Sequence, residues 1–333
     1  MLSIAMTTYN GGAFIEKQLE SLLNQKRKPD EVVIVDDCSK DETVELIKEF
    51  IKKNQLTGWK LYVNDENLGY KKNFYKSIEK TQGDLIFLCD QDDIWNSDKL
   101  ARMAIIFDKY PQILSLNTTF ELINQEEQPI EYRCRKGSYN NDLIRGKCLA
   151  GKLKKIPYEI IMEYNISPGC TMAFRKSVKD IYLQQSLSRL PHDWELNIIA
   201  ASQEGLFFYN KPLIKYRIHD KNTLGMNTDD SISDFEFQGN IDFRKMALED
   251  RKLFKLAMDE WNGKLNISTE QKQIYDQITA YDKLRMNCVY DRKLASWFAL
   301  VLKTIRLWDG KHIRFKTLFG DLYYILRKNK GQR

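Results

Sequence analysis

Asp84-Leu-Ile-Phe-Leu-Cys-Asp90-Gln-Asp92-Asp93-Ile-Trp95 is the stretch on which the reading of this chain turns. Its apolar run, Leu85 to Leu88, has the length and composition of a buried strand, and Asp90, Asp92 and Asp93 follow where that strand must end. Carboxylates at a strand terminus are costly to hold dry, so they call for water or for a divalent cation with oxygen ligands. In an open parallel α/β sheet, ligands bind just outside the carboxyl ends of the strands. An acidic cluster in that position marks the expected site.

Upstream, strand and helix patterns alternate from residue 1 to 117. Leu2 to Met6 forms a first strand, followed by the loop Thr7-Thr8-Tyr9-Asn10-Gly11-Gly12 and a helix with Phe14, Ile15, Leu19, Leu22 and Leu23 on one stripe. Glu31 to Val35 forms a second strand, closed by Asp36-Asp37-Cys38-Ser39. Asp41 is expected to cap the next helix, whose buried stripe is Val44, Leu46, Ile47, Phe50 and Ile51. Trp59 to Val63 gives a third strand, and Lys72 to Lys80 and Lys99 to Tyr110 give two further helices. This succession predicts an α/β fold, a Rossmann-like and mainly parallel sheet flanked by helices.

Downstream the pattern changes. Residues 118 to 165 are expected to be strands joined by polar loops, and Ser167 to Phe174 a turn feeding a buried strand. Pro191 and Asp193 suit the start of a helix that runs to about Ala201. Two short strands follow, Gly205 to Tyr209 and Leu213 to Arg217, then His219. The polar, acidic segment 223–240 fits a connector. Residues 241–333 form a basic helical extension that mixes Trp297, Phe298, Leu302, Ile305, Trp308, Tyr323 and Tyr324 with Lys303, Arg306, Lys311, Arg314, Lys316, Arg327 and Lys328. That mixture suits an anionic membrane surface. A helical cap packed on the sheet, or a homodimer contact, fits the same residues.

Composition narrows the class. The chain has 333 residues, 43% hydrophobic and 29% charged, which describes a soluble globular protein of one large or two ordinary domains. No uncharged apolar run approaches the roughly 18 residues of a membrane span. Met1-Leu-Ser-Ile-Ala is too short to be a secretion signal, so a cytoplasmic location is expected. The 6 cysteines lack paired spacing, which argues against zinc and disulfide frameworks. A net charge of +6 is too modest to imply a nucleic-acid partner.

With these pieces in place, the chain resembles the family 2 glycosyltransferases, inverting enzymes of the GT-A fold, over residues 1–222. The resemblance rests on Met6-Thr7-Thr8-Tyr9-Asn10, Val33-Ile-Val-Asp36-Asp37-Cys-Ser39, Asp90-Gln-Asp92-Asp93, Gly169-Cys170-Thr-Met and His192-Asp193-Trp194, in that order. The forms Cys-Asp-Gln-Asp-Asp-Ile-Trp and Pro-His-Asp-Trp look most like the bacterial rhamnosyltransferase-like branch. The resemblance implies a nucleotide-binding half, 1–117, and an acceptor and donor-sugar half, 118–222. It implies a nucleotide diphosphate sugar, dTDP- or UDP-linked, in contact with Thr7, Tyr9, Asn10, Asp37, Gly69, Lys72, Gln91, Gly169 and His192. Mn²⁺ or Mg²⁺ would be held by Asp90 and Asp92, with His219 reaching it from the C-terminal side.

The chemistry of such a transfer needs those residue types. A departing diphosphate gains negative charge, which a divalent cation offsets. Direct displacement needs a base for the acceptor hydroxyl, and Asp193 matches the family position for it. Its place at a helix amino end is expected to favour the ionised form. The sugar expected is L-rhamnose from its dTDP donor, with a lipid-linked or cell-surface saccharide as acceptor and a location on the inner face of the cell membrane. A UDP-hexose donor is the alternative. Two other classes fit parts of the pattern: an aspartyl-phosphate enzyme with Asp90 as nucleophile, which leaves Thr7, Tyr9 and Asp37 without a role, and a non-catalytic nucleotide-sugar scaffold, which has no use for a base.

Overall fold

The computed structural model describes residues 1–130, 149–163, 165–185, 190–219, 267–291, 294–307 and 315–326, with 248, 252, 255, 256 and 265. The connector expected at 223–240 and part of the middle region lie outside the described residues.

Among the described residues a 9-stranded sheet forms the spine. β1 (Leu2–Thr8), β2 (Glu31–Asp36), β3 (Trp59–Val63) and β4 (Leu85–Cys89) run parallel in the order β3-β2-β1-β4. Between them lie α1 (Ile15–Leu23), α2 (Thr43–Lys53) and α3 (Tyr70–Lys80). β1, β2 and β4 are buried at every residue, yet period-2 alternation still sorts their side chains. Leu2, Ile4, Met6, Phe87 and Cys89 enter one core with Ile15, Leu19 and Ile47, whereas Ala5, Ile86 and Leu88 enter the other with Phe74 and Ile78. A helical layer on each face is the consequence.

The sheet then changes character. After β5 (Ile94–Trp95) and α4 (Lys99–Lys109) come β6 (Ser115–Ile123), β7 (Leu153–Lys155), α5 (Tyr158–Glu163), β8 (Met172–Arg175), α6 (Lys176–Gln185), α7 (His192–Ser202) and β9 (Leu206–Arg217). β8 slots antiparallel between β4 and β6, and β9 pairs parallel with β6. Two expectations are corrected here. Residues 158–163 are helical rather than extended, because Ile161 and Met162 bury into the same core as Trp194 and Leu196 of α7. The two short strands expected over 205–217 are one strand, whose register with β6 shifts between Thr118 and Glu121. Those irregularities let the ladder absorb Pro212, which has no N–H to give.

The C-terminal helices are α8 (Thr269–Asp291), α9 (Leu294–Leu307) and α10 (Phe315–Leu326). They share a small core of Tyr281, Cys288, Leu300 and Leu318, and Arg285 Nε donates to the buried Asp321 Oδ2 at 2.7 Å. Their outer faces stay apolar: Phe298, Leu302 and Ile305 of α9 are 58%, 66% and 61% exposed, and Phe319 and Leu326 of α10 are 65% and 60% exposed. No described helix is long and apolar enough to cross a membrane.

Candidate active site

Parallel pairing fixes the lip of the site. Met6 lies beside Cys89 and Thr8 beside Asp36, so the loops after β1, β2 and β4 emerge together. Those loops are tied to one another. Gln91 clasps the backbone of Tyr9, accepting from its N–H at 2.7 Å and donating to its carbonyl at 2.9 Å. Gly11 leaves room for that clasp, since a Cβ there would meet the Gln91 amide and displace it. Asn10, at φ 48°, accepts from Lys40 N through its side-chain oxygen and donates its own backbone N–H to the Ser39 hydroxyl. These contacts leave the Tyr9 ring 44% exposed at the lip, above the buried Thr7.

Asp37 is the internal tie of the second loop. Its carboxylate accepts from Asn64 Nδ2, Leu68 N and Gly69 N at 2.8, 2.9 and 2.8 Å. Gly69 starts α3 at φ 82° and ψ 153°, a conformation that only glycine adopts readily. Lys72 is exposed on the first turn of α3.

At the end of β4 the three carboxylates separate. Asp92 points toward β9, where its Oδ2 lies 2.9 Å from His219 Nε2, and His219 stacks on Phe14 at 4.7 Å. Asp93 turns inward, 1% exposed, and accepts from Arg217 N at 3.1 Å, while its Oδ2 is buried with no hydrogen-bond partner among the described residues. Asp90, Asp93 and the Cys170 thiol bring ligand atoms within 4.8 Å of one another. Burial, then the neighbouring Asp93 and Asp92 charges, push the Asp90 carboxyl well above the usual range, and burial with Asp92 pushes Asp93 up to about 7. Such mutual repulsion is what a cation relieves. Two carboxylates and a thiol within reach of one another, with the Asp92–His219 pair beside them in sequence, are donor types that suit a divalent ion.

Two cations already serve this cluster, and their role was not visible in the sequence. Lys99 is fully buried at the start of α4, donates to the Cys170 carbonyl at 2.6 Å and sits 3.5 Å above the Trp95 ring. Burial lowers its pKa to about 8, against the pull of Cys170, Cys89, Asp93 and Asp90. Arg217, 1% exposed, donates from Nε to the Asp92 carbonyl at 2.8 Å and from Nη1 to the Gln125 carbonyl at 2.9 Å. A lysine in an amphipathic helix and an arginine at a strand end carry no local mark of burial. Only the sheet order brings them here.

The last part of the site arrives on α7. A buried chain of hydrogen bonds, Thr171 to Ser167 to Asn117 and then Asn117 to Asn197, joins the 3-10 turn Gly169–Thr171, β6 and α7. Gly169 lets the turn approach, since its Cβ would lie 3.1 Å from His192 Nε2 and 3.3 Å from Asp193 Cβ. Asp193 Oδ1 accepts from Trp194 N at 2.9 Å. Burial outweighs the bonds from Trp194, Asn165 and Gly169 and raises the Asp193 carboxyl to about 6, above the usual carboxylate range and still on the ionised side at neutral pH. His192 stacks on Phe74 at 4.0 Å, with burial lowering it to about 3, and its ring nitrogens are buried without hydrogen-bond partners among the described residues. It is neutral.

The comparisons decide the family. The model of "Glycosyl transferase family 2" matches residues 3–181, which spans the lip and the strand that follows it. The chain belongs to glycosyltransferase family 2. It is 27% identical over 242 residues to the dTDP-rhamnosyl transferase RfbG of Shigella flexneri, covering 67% of this chain and 74% of that protein. It is 24% identical over 333 residues to the uncharacterized glycosyltransferase RT0329 of Rickettsia typhi, covering 99% and 97%. Among solved structures, S. aureus TarS 1-349 in complex with UDP superposes with TM-score 0.55 at 19% identity, covering 97% of this chain and 88% of that one. The mannosyltransferase PcManGT of Pyrobaculum calidifontis, in complex with GDP-Man and Mn²⁺, superposes with TM-score 0.50 at 12% identity, covering 97% and 85%. The sheet of this glycosyltransferase is therefore a GT-A fold.

Lys99→Met removes a buried ammonium whose charge holds the Asp93 pKa down, so that pKa rises further above its unfolded value. A carboxyl whose folded pKa is raised stabilises the protein below its unfolded pKa, and that stability is lost as pH rises through the folded pKa. The melting temperature of the variant should fall further below wild type at pH 8 than at pH 6. An equal deficit at both pH values refutes the coupling.

Proposed function

We propose that this family 2 glycosyltransferase is inverting and metal-dependent, with Asp193 as its base, and transfers L-rhamnose from dTDP-L-rhamnose to a hydroxyl of a lipid-linked or cell-surface saccharide. The observation that carries the base assignment is the Asp193 carboxyl itself, buried beside Gly169 and raised to about 6. A base of that pKa is ionised at neutral pH and still basic enough to take a proton in the transition state. The donor assignment is supported by the likeness to RfbG. UDP-hexose is the second reading, supported by the UDP held in TarS.

In this reading the exposed ring of Tyr9 faces the base and ribose with Thr7 beneath, and Asp37 and Gln91 hold the loops that line the nucleotide. Lys72 and Gly69 lie on the phosphate side. Asp92 and Asp90 would hold Mn²⁺ or Mg²⁺ with His219 beside Asp92, and that ion supplies charge to offset the departing diphosphate. Asp93 is assigned to the interior, since its Oδ1 takes the Arg217 N–H. Asp193 takes the proton of the acceptor hydroxyl as that oxygen bonds the anomeric carbon. The bond to the diphosphate breaks with its electron pair on the leaving oxygen. Neutral His192 packs beside the base and meets the donor sugar. The outward stripes of α9 and α10 rest on the inner face of an anionic membrane.

Two experiments test the reading. With the full chain and dTDP-rhamnose or UDP-hexoses, turnover should rise about tenfold per pH unit below 6 and level off above it, because only the ionised Asp193 accepts a proton. Asp193→Asn should lose roughly 10²- to 10⁴-fold in kcat while keeping its thermal stabilisation by nucleotide. Asp92→Ala should lose the Mn²⁺-dependent part of that stabilisation. Full turnover in Asp193→Asn, or a Mn²⁺ response untouched in Asp92→Ala, removes the corresponding role.

Membrane association is tested separately. The full chain should sediment with phosphatidylserine-containing vesicles at low salt and less at high salt. Phe298→Ser combined with Phe319→Ser should release it, both residues being exposed already. Vesicle binding unchanged by that pair, or absent in wild type, discards the contact.

A further inference from the structure

Between α5 and β8 the chain passes along the start of α7, and Asn165 on that passage reaches two turns of the helix at once. Asp193 and Asn197 stand four residues apart, so they share one face of α7. Asn165 Oδ1 accepts from Asn197 Nδ2 at 3.3 Å, and the Asn165 amide also hydrogen-bonds the Asp193 carboxylate, in the sense that favours its ionised form. A carboxylate can only accept, so the group that meets it is the amide nitrogen. Asn165 therefore buckles the turn that carries the proposed base to the turn behind it.

The direction of that amide is fixed. Asn165 Oδ1 also accepts from Ile166 N at 2.9 Å. A reversed amide would set its NH₂ against two donors, Asn197 Nδ2 and Ile166 N, and present an oxygen to a carboxylate. Asn197 is oriented in turn, because its Oδ1 accepts from Asn117 Nδ2 at 2.8 Å and from Ser115 Oγ at 3.0 Å. Asn117 Oδ1 takes the Ser167 hydroxyl at 2.8 Å. Ser115, Asn117 and Asn197 are all 0% exposed, an interior in which successive hydrogen bonds polarise one another. From Asn117 to Asn197 to Asn165 each amide donates to the next, and the last N–H ends on Asp193.

We propose that Asn165 is the positioning residue of the base: its side-chain N–H fixes the direction of the Asp193 carboxylate, and Asn117 and Asn197 fix Asn165. The inference rests on the reading of Asp193 as base and assigns Asn165 no contact with a reacting atom. It makes the aim of the carboxylate a property of β6 and of the passage before β8 as well as of α7. The titratable groups in electrostatic reach of Asp193 are Tyr70 of α3, Asp90 after β4 and Tyr182 of α6, with His192 and Glu195 on α7 itself and Lys71 of α3 paired to Glu195 at 3.6 Å. All of them are left in place by the substitutions that test the role.

Asn165→Leu keeps the branched shape without the N–H, and Asn165→Gln returns an amide. With dTDP-rhamnose or UDP-hexoses and the full chain, Asn165→Leu should lose roughly ten- to a hundredfold in kcat while the KM for the sugar nucleotide stays within about twofold of wild type. The deficit should be larger at pH 6 than at pH 8, because loss of the N–H raises the carboxyl pKa and leaves less base ionised at the lower pH. Asn165→Gln should recover most of the lost kcat. An unchanged kcat, a loss confined to KM, or a deficit equal at both pH values overturns the proposal. A urea-unfolding cycle of wild type, Asn165→Leu, Asp193→Ala and the double variant reads the bond without turnover. Asn165→Leu should shift the midpoint less in the Asp193→Ala background than in wild type, and additive shifts overturn the bond. Full turnover in Asp193→Asn rejects the base reading by itself, whereas the unfolding cycle is blind to that result, so the two readings fail separately.

Discussion

Uncompensated negative charge at the end of β4 is the constraint on which the rest of this structure depends. Asp90, Asp92 and Asp93 occupy three of four consecutive positions, and the strand that delivers them is buried at every residue. The fold disperses that charge in three directions. Asp92 goes to His219, Asp93 to the backbone N–H of Arg217, and Asp90 stays near the thiol of Cys170, whose carbonyl accepts from the Lys99 ammonium. Buried charge left without a partner costs several kcal/mol, so β9, α4 and the turn before β8 are held to positions that a less acidic lip would not demand. The raised Asp90 and Asp93 pKa values record the repulsion that remains after these internal cations are counted.

The same constraint joins the two halves of the sheet. β3-β2-β1-β4 is a parallel unit whose chain reverses its order beside β1, opening the crevice where such sheets take ligands. β8, β6 and β9 continue the sheet with mixed direction and bring Gly169, Asp193 and His219 to that crevice. Neither half is complete alone. Arg217 spans the join, bonding the Asp92 carbonyl on one side and the Gln125 carbonyl on the other.

Legibility in the sequence follows from how local each cause is. Strands β1 to β4 and the loops that close them were readable because each carries its own apolar run and its own turn residues. Asp92 and His219 were readable as a pair of candidates for one ion, and the structure brings them to 2.9 Å. What escaped depends on distant partners. Residues 158–163 have no helical signal that outweighs Ile160 and Ile161, and it is burial against α7 that makes them a helix. Pro212 divides the pattern of β9, yet β6 supplies a ladder with shifted register that carries the strand past it. Lys99 is one lysine among many, and the acids that fix it lie on another element.

Asp193 shows why position on a helix does not settle the state of a carboxyl. The amino end of α7 offers N–H groups and a favourable dipole, which lower a carboxyl pKa by tenths of a unit to about one. The network through Asn117 and Asn197 seats that helix end deep in the core, and burial acts in the opposite sense with greater force. Two further features keep it there: Gly169 admits the turn that covers it, and His192 stays uncharged against Phe74, adding no positive charge that would pull the carboxyl back down. Bulk at Gly169, pressed against the Asp193 Cβ, or a charge in place of the neutral imidazole would alter the basicity of Asp193 while leaving its carboxyl chemically unchanged. The tuning of the proposed base therefore resides in its neighbours, on elements from both halves of the sheet.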